Sequence, residues 1–349
     1  MHNTAHHITR RLAPALLCLG LAGGSLAARA ADATPSPRPL KVLIISMFGP
    51  EAEPWLAPFK LDQQVPVAGL SADYPALRCN TDDVCLLTTG MGHANAAAST
   101  LAVVLNPQFD LHKTYFLIAG IAGINPEQGT LGTAAWARYL VDFGIQHEID
   151  AREKPKNWPT GYFGVGTTGP GQKPKLDYRT EVFQLNEALL QKALALSKNT
   201  ELEDSDQARA YRKLYLKAPA NQPPRVTQCD TLAGDTWWHG KLLGDYASAW
   251  TRTLTDGQGS YCTTQQEDNA TYAALQRGAQ AGLLDIQRLA VLRTGSNFDR
   301  PHPGQTPYQS LKSDSGGFLP ATHNLARVGG ALVNDIVKNW GTWEAGITK

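Results

Sequence analysis

Two carboxylates near the start of the chain stand where the end of a strand would present them to a ligand. They are Glu51 and Glu53, and they follow the apolar run Lys41–Ser46, which is typical of a buried strand in a parallel sheet. A carboxylate at the end of such a strand can accept a proton from water or hydrogen-bond a hydroxyl group. An acid in the first turn of a helix can also serve only to stabilise the helix dipole. The sequence alone leaves both interpretations open for these two glutamates.

Two glycine-rich segments are the next places where a ligand could approach the backbone. Gly92 and His93 follow one apolar run, and Gly120 follows the next. Glycine allows backbone N–H groups to face a small molecule at the carboxyl end of a strand. A small-residue helix pattern, Asn95–Leu105, separates the two segments, so this region predicts a βαβ unit with a right-handed crossover. The two predicted strands are Val84–Thr88 and Tyr115–Ala119, and the predicted second turn is Gly120–Gly123.

The elements that must position these residues alternate between apolar strands and amphipathic helices. Further strands are predicted at Val226–Leu232 and at Leu289–Arg293, which ends before Thr294. Helices are predicted at Glu181–Ser197 with Thr180 as its cap, Asp206–Leu216, Lys241–Arg252, Gln266–Ala281 and His323–Trp340. This order predicts an α/β protein: a single-domain αβα sandwich with a central mixed, mainly parallel sheet. A segment rich in Pro, Gly and Lys predicts a loop insertion near residues 150–178.

The first thirty residues have the character of a secretory signal peptide. A basic, polar start is followed by the apolar run Leu12–Leu26 and by a small-residue cleavage site at Ala28–Ala30. The alternative of an uncleaved anchor is disfavoured because that run is short and is interrupted by proline and glycine. Residues 31–39 are predicted to be a linker, and residues 40–349 are predicted to be the folded domain.

Charge and hydropathy argue against two classes of function. Loss of residues 1–30 would remove three arginines and no acid, so the formal net charge would change from +1 to −2. Such a chain offers no excess of basic residues to a nucleic acid. No later run is long and apolar enough to span a bilayer, so the mature chain is not expected to form a pore. We expect a periplasmic or secreted protein without a metal or cofactor.

The chain has five cysteines, and four of them lie in the predicted mature protein. Cys79 and Cys85 flank a turn-rich tetrapeptide, so a local bridge is the simplest pairing, and Cys229 with Cys262 would form the second. An even number of cysteines in an exported chain is typical of disulfides. A zinc site is the alternative, but the spacing matches no common ligand pattern.

Five short motifs, in the same order along the chain, resemble those of the nucleoside phosphorylase and nucleosidase fold. They are Thr89–Ala96, Ala119–Ile124 with Gly129–Gly132, Thr231–Trp237, Gln266–Asp268 and Arg293–Asn297. Four segments resemble the purine nucleoside permease family, an exported branch of that fold: Glu51–Trp55, Gly234–Gly240, Gln265–Thr271 and Arg293–Pro301. The resemblance covers Lys41 to about Trp340. It implies a nucleoside phosphorylase-like fold and a site for purine nucleosides.

The resemblance also implies roles for individual residues. Glu267 stands where the family's glutamate binds the ribose hydroxyls, and Trp237 stands where an aromatic side chain stacks on the base. Without the resemblance, Glu267 would be taken as a helix N-terminal acid and Trp237 as a core aromatic residue. Asn297 replaces the aspartate that protonates purine N7, so it can polarise the base but is no strong acid, and Asp299 could substitute for it. The other residues expected to bind the nucleoside are Gly92, His93 and Gly120.

One departure from the family pattern argues against a phosphorylase. In this fold a serine in the second glycine turn and nearby arginines hold phosphate. Here Ile121 occupies the serine position, and the strand before it contains no arginine. Burying a phosphate without donors is very costly. His93 and the helix that begins near Asn95 could still hold an anion or a water.

Two functions from different classes remain. The first is a periplasmic protein that binds purine nucleosides during their uptake, in concert with a separate membrane transporter. The second is a nucleoside N-ribohydrolase, in which Glu51 or Glu53 activates a water while Asn297 or Asp299 assists the leaving purine. Sites in this fold often borrow residues from a neighbouring subunit, so we expect a homo-oligomer, either a dimer or a larger ring.

Overall fold

Two ten-residue strands lie side by side at the centre of the protein and support the rest of the sheet. They are Tyr115–Ile124 and Leu289–Phe298, and they pair in parallel along almost their whole length. The structure is a computed structural model that describes residues 36–347. The predicted signal peptide, residues 1–30, and residues 31–35 of the predicted linker lie outside the described residues.

The strands and helices of the described residues are numbered in chain order. The first eight strands are β1 (Arg38–Pro39), β2 (Val42–Ser46), β3 (Gln63–Pro66), β4 (Ala76–Cys79), β5 (Val84–Thr88), β6 (Phe109–Asp110), β7 (Tyr115–Ile124) and β8 (Ala134–Trp136). The other strands are β9 (Tyr139–Asp142), β10 (His147–Glu148), β11 (Tyr162–Phe163), β12 (Val182–Gln184), β13 (Val226–Gln228), β14 (Asp230–Ala233), β15 (Tyr261–Gln265) and β16 (Leu289–Phe298). The α-helices are α1 (Gly49–Leu56), α2 (His93–Val104), α3 (Glu187–Ser197), α4 (Asp206–Arg212), α5 (Lys241–Leu254), α6 (Asp268–Gln280), α7 (Pro307–Lys312), α8 (Phe318–Lys338) and α9 (Trp340–Trp343). Within residues 36–347, none of these helices combines the length and the apolar character needed to cross a membrane.

Two sets of parallel strands form most of the sheet, and antiparallel pairs join these sets and extend its margins. β5, β2 and β7 pair in parallel, and β7 also pairs in parallel with β16. A second parallel set, β9, β14 and β15, joins the carboxyl end of β7 through an antiparallel contact. β3 and β4 extend one margin and β12 the other, all with antiparallel pairing. The predicted mixed, mainly parallel sheet is confirmed.

Helices cover both faces of the sheet because both faces are apolar. Along β2, Leu43 and Ile45 belong to the core cluster that includes residues of α2 and α6. Val42 and Ile44 belong to the cluster that includes residues of α1 and α8. This alternation follows from the two-residue period of a strand, and burial on both faces explains why the run is continuously apolar. The result is the predicted αβα sandwich.

The two central strands are longer than the sequence pattern predicts, and this corrects two expectations. Gly120–Gly123 was expected to form a turn, but β7 continues through it to Ile124. The predicted strand end at Arg293 is also wrong, since β16 continues to Phe298. Each extension supplies the hydrogen-bonding partner of the other, and a register shift near Gly295 accommodates the irregularity. Neither strand could be extended from its own sequence, because the stabilising partner is remote in the chain.

The helix that follows the predicted insertion begins later than the sequence pattern predicts. The helix predicted from Glu181 with Thr180 as its cap instead begins at Glu187, and Asn186 caps it by accepting N–H groups of the first turn. The residues before the cap form β12, which pairs with β9 at the sheet margin. The insertion is mostly loop, and its strand β11 pairs antiparallel with β10, which lies just before it.

Both predicted disulfides are present in the structure. Cys79–Cys85 links the ends of β4 and β5, and its residues are six positions apart. Cys229–Cys262 links the segment before β14 to β15, across a separation of 33 residues. The second bridge therefore ties together the parallel set that reaches the end of β7. All four cysteines are bonded in pairs, so none of them is available as a zinc ligand.

The two bridges should contribute unequally to stability. We expect replacement of Cys229 and Cys262 by alanine to lower the free energy of unfolding by about 1.5 kcal/mol more than replacement of Cys79 and Cys85, because the longer loop restricts the unfolded chain more. Guanidinium unfolding without reductant measures both variants. Equal losses would contradict the loop-entropy argument. Four free thiols in the denatured, unreduced wild-type protein would contradict the bridges themselves.

Candidate functional site

A cavity of about 420 Å³ lies where the carboxyl ends of β2, β7, β15 and β16 meet. Its most buried wall is formed by Met47, Glu51, Glu267 and Arg293. More exposed residues line its rim, namely Met91, Trp237, Leu311 and Phe318. The cavity therefore has a buried charged end and an apolar, partly aromatic mouth. Pockets for small organic ligands commonly combine these two features.

Glu51 is held at the buried end by the first turn of α1, which begins directly after β2. Its side chain is 2% exposed. The carboxylate accepts the backbone N–H of Met47 at 2.8 Å and that of Ile121 at 2.7 Å. Burial raises the pKa of Glu51 from 4.5 to about 7, and the charge of Glu267 adds to the rise, against the opposing effects of Arg293 and the two N–H groups. Glu51 can therefore gain or lose a proton near neutral pH.

Arg293 links the strands that surround Glu51. Its guanidinium binds the carboxylate of Asp268, lies 3.3 Å from Oε2 of Glu267, and donates to the carbonyl of Ile121 at 3.0 Å. Arg293 is 1% exposed, and both acids are also buried. Although burial alone would lower the pKa of Arg293, Asp268 and Glu267 raise it, so the guanidinium stays charged. The sequence prediction did not assign a role to this arginine.

The N-terminus of α2 already holds carboxylates of the protein. The backbone N–H of Gly92 donates to Oε1 of Glu267 at 3.0 Å, and that of His93 donates to Oδ1 of Asp235 at 2.8 Å. Gly92 has a φ of 87°, which favours glycine at this position. Glu267 and Asp235 therefore occupy the donors that were expected to be available to an anion. Gly92 and His93 therefore hold the side chains of Glu267 and Asp235 in place, and neither residue lines the cavity.

Gly120 also lies behind the wall, where it makes room for the buried charges. A Cβ atom at this position would lie 2.3 Å from Nη1 of Arg293 and 2.9 Å from Oε1 of Glu51. Neighbouring Ile121 lines the cavity and gives its N–H to Glu51 and its carbonyl to Arg293. The glycine is thus required by close approach of side chains to β7, and the strand does not turn there.

Aromatic side chains form much of the cavity mouth. Trp237 is 66% exposed and lines the cavity, so its indole face is accessible to a flat ligand. Phe318, at the start of α8, faces Phe48 with ring centroids 6.3 Å apart. Trp238 is buried next to Trp237 and packs on Phe143, with ring centroids 5.5 Å apart. The buried tryptophan anchors the loop that presents the exposed one.

Asn297 and Asp299 have different surroundings although only one residue separates them. Asn297 lines the cavity, where its Oδ1 accepts the hydroxyl of Ser296 at 3.0 Å. Asp299 is buried away from the cavity lining and accepts Nε of Arg300 at 2.8 Å and the hydroxyl of Tyr261 at 2.8 Å. Burial raises the pKa of Asp299, and the bonds from Arg300 and Tyr261 oppose that rise.

The structure brings together four of the site residues named from the sequence and keeps five apart from the cavity. The four on its wall are Glu51, Trp237, Glu267 and Asn297. The five that are not among the lining residues are Glu53, Gly92, His93, Gly120 and Asp299. Glu53 is exposed on the outer side of α1, so the structure distinguishes the two N-terminal glutamates. Sequence reasoning missed Arg293, and the signal that could have found it was a charged residue directly after the apolar run that begins at Leu289.

Within the described residues, no group of three or more His, Cys, Asp or Glu side chains is arranged to hold a metal ion. The charged residues of the cavity instead bind one another and the backbone. Their arrangement suits hydrogen bonding to hydroxyl groups and proton transfer at one carboxyl.

Two solved structures, a nucleosidase and a hydrolase, have a similar fold and define the class of fold. A 5′-methylthioadenosine/S-adenosylhomocysteine nucleosidase of Helicobacter pylori has a TM-score of 0.54 and 14% identity, with 85% of this chain and 98% of that chain covered. Futalosine hydrolase of the same organism has a TM-score of 0.52 and 14% identity, with the same coverage. Likeness at this identity establishes the nucleoside phosphorylase-like fold alone.

Sequence comparison establishes the family. The model described as purine nucleoside permease matches residues 39–348. A Schizosaccharomyces pombe protein named a probable purine nucleoside permease is 40% identical over 317 residues, which are 87% of this chain and 90% of that relative. The purine nucleoside permease of Candida albicans is 39% identical over 306 residues, 86% of this chain and 75% of that relative. The chain therefore belongs to the purine nucleoside permease family.

The buried position of Glu51 leads to a test by titration. In protein labelled with ¹³C at glutamate carboxyl groups, we expect one resonance to titrate with a midpoint near pH 7, because burial raises the pKa of Glu51 to about 7. Glu51→Gln should remove this resonance, whereas the matched change Glu53→Gln should leave it in place. A midpoint below 5 for the Glu51 resonance would contradict the effect of burial.

Proposed function

We propose that the cavity binds purine nucleosides, with the ribose at the buried charged end and the base at the aromatic mouth. The observation that carries the proposal is the carboxylate of Glu267. It lines the cavity while Gly92, Gln266 and Arg293 hold it in one orientation. A carboxylate has about four acceptor sites, and these three donors leave one of them, on Oε1 of Glu267, for a ribose hydroxyl.

The mouth of the cavity suits a flat, aromatic base. Trp237 offers an exposed indole face, and stacking of a base on an aromatic side chain contributes about 1–3 kcal/mol. The amide nitrogen of Asn297 donates one N–H to the carbonyl of Phe298 at 3.1 Å, which leaves its second N–H for an acceptor on the base. The hydroxyls of the ligand would thus bind at the buried charged end of the cavity. The base, a ring with hydrogen-bonding edges, would bind at the aromatic mouth.

We further propose that binding serves nucleoside uptake outside the cytoplasm, in concert with a separate membrane transporter. The signal-peptide character of residues 1–30, the two disulfides and the family membership support this role. A homo-oligomer is part of the same proposal. Production of the full chain with a tag at its carboxyl end, followed by N-terminal sequencing of the exported product, tests the export step.

A second candidate function is hydrolysis of the N-glycosidic bond, and Glu51 favours it specifically. A carboxyl with a pKa of about 7 is suited to general base catalysis, since it is partly ionised at neutral pH and still accepts a proton readily. Below that pH Glu51 is mainly protonated and cannot activate water. Any hydrolysis that depends on Glu51 should therefore become faster as the pH rises through about 7, and then level off.

The ribose site can be tested by comparing adenosine with adenine. We expect Glu267→Gln to weaken adenosine binding about 10- to 100-fold, because an amide replaces a charged acceptor of a ribose hydroxyl, while the affinity for adenine stays nearly unchanged. Calorimetry measures both ligands. Glu53→Gln, at an exposed acid away from the cavity, is the matched control. Equal weakening of both ligands would exclude a ribose role for Glu267.

Phosphate should have no effect on either candidate function. Ile121 lines the cavity where the fold would need a hydroxyl, and Arg293 is held by two acids. The N–H groups of Gly92 and His93 are occupied by Glu267 and Asp235. We expect nucleoside binding to be the same with and without millimolar phosphate. If inosine is cleaved, the sugar product should be free ribose. Formation of ribose 1-phosphate in phosphate buffer would overturn this prediction.

A further inference from the structure

The end of the cavity that would hold the base offers hydrogen bonds but is poorly equipped to deliver a proton. Asn297 is an amide and cannot act as an acid near neutral pH. Asp314 also lines the cavity, but the N–H of Gly316 binds its Oδ1 at 3.0 Å and lowers the pKa of the carboxyl, which keeps it ionised. Asp299, the nearest other acid in sequence, is engaged by Arg300 and Tyr261 outside the cavity lining. A neutral purine needs a proton when it departs.

The charges on the cavity wall favour a cation. Among the described residues that line it, the acids are Glu51, Glu267 and Asp314, and the basic residue is Arg293. Arg293 is already paired with Glu267 and with Asp268 behind the wall. The mouth adds the ring faces of Trp237 and Phe318, and an aromatic face attracts a cation by about 0.5–2 kcal/mol.

We infer that the cavity accepts and hydrolyses nucleosides whose base carries a fixed positive charge, such as pyridinium nucleosides and 7-alkylated purine nucleosides. The inference rests on the proposed nucleoside site and on Glu51 as the base. A positively charged leaving group needs no acid, so the amide at position 297 is sufficient. The acidic wall and the aromatic mouth then bind the charge that makes the base a good leaving group.

The bond changes balance without a co-reactant. A water molecule attacks the anomeric carbon and forms the new C–O bond while Glu51 accepts its proton. The C–N bond breaks, and its electron pair returns to the ring nitrogen, so the cationic base departs as a neutral molecule. The products are the free base, ribose and one proton, which Glu51 releases to solvent. Arg293 keeps the carboxylates of Glu267 and Asp268 in place and takes no part in the transfer.

The test uses a matched pair of substrates and a pyridinium nucleoside. Adenosine, 7-methyladenosine and nicotinamide riboside are incubated with the purified protein, and protein-free samples are subtracted. We expect kcat/KM to be about 100-fold or more higher for the two cationic nucleosides than for adenosine, the size of a typical general-acid contribution. We also expect them to bind about 2- to 30-fold more tightly, the factor that corresponds to cation–aromatic attraction.

Two variants separate leaving-group chemistry from other causes. Asn297→Asp introduces an acid at the base end, so it should raise adenosine cleavage about 100-fold and leave nicotinamide riboside cleavage nearly unchanged. Glu51→Gln should abolish cleavage of all three nucleosides, whereas Glu53→Gln should have no effect. Calorimetric binding of adenosine by the wild-type protein is recorded in parallel, because it tests the proposed nucleoside site independently.

The outcomes distinguish failure of this inference from failure of the proposed function. If adenosine binds but the cationic nucleosides are not cleaved, the inference is overturned while the nucleoside site stands. Cleavage of adenosine as fast as that of 7-methyladenosine, or a similar gain for every substrate with Asn297→Asp, also overturns it. If adenosine and the cationic nucleosides all fail to bind, the proposed function is overturned as well.

Discussion

The pairing of Arg293 with Glu267 and Asp268 is the interaction on which the rest of the site depends. The three side chains are almost completely buried, and a buried charge is tolerated only when it is paired and hydrogen-bonded. Breaking such a pair by removing one partner typically costs about 3–5 kcal/mol, because the remaining charge is left without compensation. Since Arg293 also holds the carbonyl of Ile121, this cluster fixes β16, β7 and the start of α6 relative to one another.

The same cluster explains the unusual acid–base character of Glu51. Its carboxyl lies in a buried space that already contains the negative charge of Glu267, so ionisation is disfavoured by burial and by like charge. Arg293 and two backbone N–H groups offset only part of that cost. Gly120 makes the arrangement sterically feasible, because any side chain at that position would overlap Arg293 and Glu51. The raised pKa of Glu51 is therefore a consequence of its burial against β7, where Gly120 leaves room for its carboxyl.

The family name and the names of the solved structures of similar fold describe different functions. The family is named for a permease, whereas the two solved structures of similar fold are a nucleosidase and a hydrolase; their 14% identity establishes the fold alone, and one fold supports many activities. The proposed nucleoside binding and the proposed hydrolysis would both use the buried end of the cavity, where Glu51 and Glu267 lie. Proton delivery to the base distinguishes them. Asn297 lines the cavity, and its amide can hydrogen-bond a base but cannot protonate it.

The sequence by itself determined the local elements and the family. The bounds of β5 and the Cys79–Cys85 pair were predictable because apolar period, turn residues and short spacing are local properties, and the Cys229–Cys262 pair followed as the two cysteines that remained. Tertiary structure decided the lengths of β7 and β16. It also decided that Glu51, and not Glu53, lines the cavity, and that Arg293 pairs with Glu267 and Asp268. It also decided that the N–H of Gly92, at the start of α2, binds Glu267, which is 175 residues away in the chain. These features depend on contacts between segments that are distant in the chain. A local sequence pattern does not indicate which buried charged residues will be in contact.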